Sequence, residues 1–138
     1  MSAELAELER FARGEVDPGN FPHREHVRMA YEMLRRHDFA ETVLHYSRAL
    51  RAMTARAGKP EAFNQTVTIA FLALIAERMA GEEGDFAAFQ RGNPDVFDKS
   101  VLRRWYPQQR LASDLARRAF LLSEPAGVSA AQTPERGK

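Results

Sequence analysis

The stretch Val67-Thr-Ile-Ala-Phe-Leu-Ala-Leu-Ile-Ala76 decides the fold. It holds no charge and a single hydroxyl, so a helix here is apolar on nearly every side. Such a helix belongs at the centre of a bundle, where neighbours cover all its faces. Its longest wholly apolar run, 69–76, is far shorter than the roughly 20 residues that cross a bilayer. No segment alternates polar and apolar residues as a half-buried strand does, and no internal repeat is present. The fold class expected is therefore all-α: a compact bundle of four to five main helices with short connecting helices.

Working outward, the central helix is expected over about 60–80, with Pro60 at its first position, Glu61 in its first turn and Gly81 to Gly84 ending it. The helix before it should run from about 39 to 57. Asp38 is its N-cap, Glu41 follows at capping-box spacing, and Gly58 stops it. Phe39, Val43, Tyr46, Leu50 and Met53 form its inward stripe, and His45 lies off that stripe. The second helix, about 22–36, starts at Pro22 and buries His23, His26, Val27, Ala30, Tyr31 and Leu34. The first is capped by Ser2, carries Leu5, Leu8, Phe11 and Ala12 on one face, and ends at Gly14. Beyond the central helix, Asp85 caps a short helix, residues 98–104 form another, and Trp105-Tyr-Pro107 ends it. A last helix spans about 108–121, with Leu111, Leu115, Ala119 and Leu122 on one face. Residues 1–122 form a single helical domain in this reading. Residues 123–138, rich in Pro, Gly, Ala and Ser, are expected to be a disordered tail.

Composition narrows the chemistry. With 138 residues, 44% apolar and 28% charged, the chain resembles an ordinary soluble domain with one core. The absence of cysteine excludes disulfides, thiolate ligands and thiol nucleophiles. The acidic, amphipathic start has no apolar h-region, so no signal peptide is expected and the location expected is cytoplasmic. A net charge of +1 does not indicate nucleic-acid or membrane partners. The charge is uneven, however: residues 99–118 carry +5 and the rest −4. That segment could hold an acidic partner, or its charges could pair with acidic helices. Its Arg103-Arg104-Trp105-Tyr106 could stack a base or simply anchor a loop. Ser47, Ser100 and Ser113 have no nucleophile-elbow context, and there is no phosphate-binding Gly-rich loop or His-Glu-x-x-His.

Two features point to a site. His23 and His26 stand three apart, so their imidazoles leave the second helix on one side, in line with its apolar stripe. Asn64, Gln65, Thr66 and Thr68 give the central helix a polar start. If the two helices pack side by side, His23, His26, Tyr31, Asn64 and Thr68 line a ligand pocket, with Phe63, Phe71, Tyr31 and Tyr46 as its walls. A metal would use His23 and His26 but needs another strong donor, and Asn64 and Gln65 are weak ones. The plainer reading is two buried histidines bonded to nearby hydroxyls or carbonyls.

Phe21-x-His23-x-x-His26-Val-Arg-x-Ala30 resembles the opening motif of a family of small, uncharacterised bacterial helical proteins. Phe63-Asn64-x-Thr66-Val-Thr68-x-x-Phe71 resembles its second motif, and the likeness extends over about residues 20–122. That second motif usually begins Tyr-His followed by an acidic residue. Here Asn64 and Gln65 occupy those places, so a three-histidine metal site in the family would lack one ligand in this chain.

Three functions follow as expectations. The first is small-molecule binding at His23, His26, Asn64 and Thr68. The second is metal-dependent catalysis with His23 and His26 as ligands. The third is protein interaction through the basic segment or an exposed helix face, including self-association into a homodimer through the first helix. No cofactor, substrate or reaction is specified.

Overall fold

The computed structural model describes residues 3–123, and every regular element within them is helical. Four longer helices, α1 (Ala3–Ala12), α2 (His23–Arg36), α3 (Phe39–Arg56) and α4 (Gln65–Met79), precede three short ones, α5 (Phe86–Gly92), α6 (Gln108–Leu111) and α7 (Asp114–Arg118). Single 3-10 turns fill several links, among them Pro60–Ala62, Pro94–Phe97 and Val101–Arg104. The apolar stretch that opened the sequence reading lies in α4, which packs against α2, α3, α7 and the turn at Val101–Arg104. No helix among the described residues is long and apolar enough to cross a membrane.

Local signals set most boundaries. Asp38 accepts a hydrogen bond from the Glu41 amide at 2.8 Å, and Asp85 does the same for the Ala88 amide at 3.0 Å. These bonds satisfy donors that the first helical turn leaves unpaired. An Asp38→Ala variant is expected to lose about 1 kcal/mol of stability in urea unfolding. An unchanged midpoint would show that the cap is dispensable. Gly14 ends α1 with φ +71°, and a Cβ added there would come within 2.4 Å of Ala52 Cβ on α3. Glycine thus lets α1 turn back directly against α3. Phe11, 0% exposed, is locked between the Phe21 ring at 5.5 Å and the Tyr46 ring at 5.1 Å. Of the apolar face of α1, Leu8 and Phe11 are buried in the core, Leu5 is half-buried and Ala12 is exposed.

Several expected elements differ. Pro22 is the N-cap of α2 rather than its first residue. The helix expected over 60–80 is split: Pro60–Ala62 is a 3-10 turn, Phe63 is extended, and α4 begins after Asn64. Asn64 accepts from the Val67 amide at 3.0 Å, so this Asn rather than Pro60 sets the start. The expected last helix breaks into α6 and α7, because Ser113 caps a new helix by accepting from the Ala116 amide at 3.1 Å. Of the face assigned to that helix, Leu111 is buried and Ala119 half-buried, but Leu115 is 49% and Leu122 73% exposed. Met29 and Met33 of α2 are buried beyond the expected stripe. The cap at Ser2 and residues 124–138 of the expected tail lie outside the described residues.

Candidate functional site

A cavity of about 330 Å³ lies between α2, α3 and α4 and reaches the loop before Val101–Arg104. Helix α2 contributes His23, His26, Val27 and Ala30, while α3 contributes Tyr46 and Leu50. Val67, Thr68, Phe71, Leu72 and Ile75 of α4 form the opposite wall, and Lys99 joins from the loop. The helical repeat explains the set. Residues 23, 26, 27 and 30 recur on one side of α2, as do 68, 71, 72 and 75 on α4. Lys99 is exposed while Val27, Leu72 and Ile75 are buried, so the cavity runs from the surface into the core.

Its polar groups are unequally satisfied. His23 Nε2 donates to the Val96 carbonyl at 3.1 Å, which fixes the neutral ring with its lone pair on Nδ1. The His23 ring meets Phe71 edge-on, with centroids 5.0 Å apart. Thr68 Oγ1 donates to the Asn64 carbonyl at 2.7 Å, and the Tyr46 hydroxyl donates to the His26 carbonyl at 2.8 Å. Both hydroxyls have therefore spent their single proton within the protein. The His26 ring contacts Phe21, centroids 5.0 Å apart, yet neither of its nitrogens has a hydrogen-bond partner among the described residues. Lys99 likewise has no ion-pair or hydrogen-bond partner there. The neighbouring carboxylates are engaged elsewhere. Asp98 accepts from the Ser100 amide and hydroxyl, and Glu25 accepts from Arg24 and Arg28.

Burial keeps both rings uncharged. It pushes His26 down to about 4, reinforced by competition with the His23 ring for a proton and by the Lys99 charge, and only partly opposed by Glu25. His23 is also lowered, first by burial and then by Lys99, against the raising effects of Val96 and Asp98. Burial raises the Tyr46 phenol well above its ordinary range, so it stays a donor. At neutral pH the site offers two uncharged imidazoles and one ammonium, which can bind and orient a polar group but hold no anionic base.

The expected pocket residues separate. His23, His26 and Thr68 line this cavity, but Tyr31 and Asn64 do not. Tyr31 lies farther along α2, its hydroxyl 3.4 Å from the Gly84 carbonyl and its ring against Phe86 and Phe89. It follows the helical repeat of the histidines but meets α5 rather than the start of α4. Asn64 caps α4, and its Nδ2 donates to the Leu111 carbonyl at 2.7 Å. Gln65 bridges Ser47 and Arg51, and Phe63 lies beneath the Arg51 guanidinium. Of the expected aromatic walls, only Phe71 and Tyr46 line the cavity. Sequence reasoning missed Lys99, which it counted only within a basic run. No group of three or more His, Asp or Glu side chains placed to hold a metal ion occurs among the described residues.

The basic segment is largely internal wiring. Arg104 and Arg78 both reach Asp95, at 3.0 and 2.8 Å, and the Arg78 bonds chiefly hold the Asp95 carboxyl down to about 2. Tyr106 is buried and donates to the Leu121 carbonyl at 2.8 Å, as a loop anchor would, whereas Trp105 is exposed beside Arg104. Compared with protein-family models, curated proteins and solved structures, the chain matches none of them, and its site chemistry is what indicates function.

Proposed function

We propose that the domain binds a small, mostly apolar molecule in the cavity between α2, α3 and α4. The observation that carries this reading is His26, a half-buried imidazole in a largely apolar cavity with neither nitrogen bonded among the described residues. Buried polar groups are almost always paired, because an unmade hydrogen bond costs the full desolvation of the group. A ligand atom would supply that partner. The cavity volume suits it as well, lying at the lower end of the range for small-molecule sites.

Metal-dependent catalysis has less support. His23 already spends Nε2 on Val96, and Asn64, standing where the resembled motif carries histidine, is committed to Val67 and Leu111. Two imidazoles are half of a usual site.

The test fills the cavity. Val67 is half-buried on α4 and lines the cavity, so a Val67→Phe variant should occupy it without disturbing the buried core. Saturation-transfer NMR with indole and 1-octanol should show contact with the wild-type protein and none with V67F, both proteins giving the same helical circular dichroism. Contact that survives in V67F, or no contact with either protein, would sink the reading.

A further inference from the structure

We infer that the molecule taken up is a monocarboxylate with an apolar body, its carboxylate seated between Lys99 and the His26 imidazole. This rests on the binding reading above and names the ligand class for the same cavity. The polar and apolar groups are segregated in it. Leu50, Leu72 and Ile75 offer only hydrocarbon, while His26 and Lys99 carry the free nitrogen donors, His23 having given its N–H to Val96. Charge fixes the sign of the head group. Lys99 has no acidic partner among the described residues, whereas the nearby Asp98 and Glu25 are bonded to Ser100, Arg24 and Arg28. An anion therefore meets a cation that makes no ion pair among the described residues, while the adjacent Asp98 carboxylate keeps its charge but is bonded to Ser100.

The count of donors fixes its valence. One ammonium and one free imidazole N–H match the oxygens of a single carboxylate, and a dianionic phosphate would retain an unbalanced charge. An amine head would face Lys99 with like charge. Thr68 and Tyr46, having donated to protein carbonyls, add no further proton for an anion. At liquid density the cavity holds on the order of ten non-hydrogen atoms, which suits a medium-length fatty acid or an aryl acid rather than a long-chain lipid.

Calorimetric titration at pH 7 with octanoate and 1-octanol separates the two levels of the claim. Octanoate should bind the full chain roughly tenfold more tightly than octanol, the margin expected when a hydrogen bond gains a charged partner. A Lys99→Met variant should lose that margin while keeping its affinity for octanol, and V67F should bind neither. Equal binding of acid and alcohol, with no effect of K99M, would overturn the carboxylate assignment and leave the pocket standing. Failure of both probes would overturn both.

Discussion

Replacing Thr66 by valine will destabilise the protein by roughly 2–5 kcal/mol, although the two side chains are nearly isosteric. Thr66 is 0% exposed. Its hydroxyl donates to the Ala119 carbonyl at 2.5 Å and accepts from the Leu121 amide at 3.1 Å. One oxygen thus pairs two backbone groups of the segment that follows α7. Valine removes both partners at once, and each half-buried backbone group then carries a desolvation cost to the extent that water cannot reach it. Serine at this position keeps the hydroxyl and loses one methyl, so T66S should lose only about 1 kcal/mol. Chemical denaturation of T66V and T66S checks this. Equal losses in the two variants would assign the effect to packing rather than to the paired hydrogen bonds.

That expectation reassigns the polar start of α4. In the sequence, Asn64, Gln65, Thr66 and Thr68 read as the base of a pocket. In the fold, Asn64 ties α4 to Leu111, Thr66 ties it to Ala119 and Leu121, and Gln65 ties it to Ser47 and Arg51. Only Thr68 faces the cavity. Periodicity gives the angle at which a side chain leaves its helix but not which neighbour stands there. Asn64 was legible as a cap, since Asn is among the best N-cap residues, but Pro60 two residues after the stop at Gly58 offered an equally regular start. The break at Ser113 had the same character, a capping residue inside a stretch that reads as one helix.

The bundle itself was legible because its signals are local and agree with one another. Asp38 and Asp85 cap, Gly14 and Gly58 turn with positive φ, and the uncharged run in α4 takes the packed centre. The histidine pair was legible for the same reason, spacing on a single helix. Lys99 was not. It comes from a loop 73 residues beyond His26, and nothing local distinguishes it from Arg103 or Arg104. What marks it is the lack of an acidic partner among the described residues, a property of the folded molecule alone. Tyr31 shows the converse. It shares the stripe of His23 and His26, but α2 is long enough for that stripe to serve α4 at one end and α5 at the other.

Acidification should destabilise the protein through His26. Its imidazole is pushed down to about 4 in the folded state, chiefly by burial, against an ordinary value of 6.5. Between those two values the unfolded chain takes up a proton that the folded chain refuses. The unfolded state then binds more protons, so stability rises with pH. The contribution is complete above about pH 6.5, falls as the pH drops toward 4 and levels off below that. Allowing for partial solvent access to a half-buried ring, it amounts to about 1–3 kcal/mol. His23, lowered for the same reasons, adds to the slope in the same direction. The Asp95 carboxyl, held down to about 2, loses its contribution only at lower pH, outside this window. A His26→Phe variant keeps an aromatic ring against Phe21 but cannot titrate. Urea unfolding at pH 7.0 and pH 4.5 should therefore give a smaller difference for H26F than for the wild type, with the His23 share remaining. The same difference in both proteins would mean that His26 is solvated in the folded state, and the unpaired imidazole on which the binding site rests would go with it.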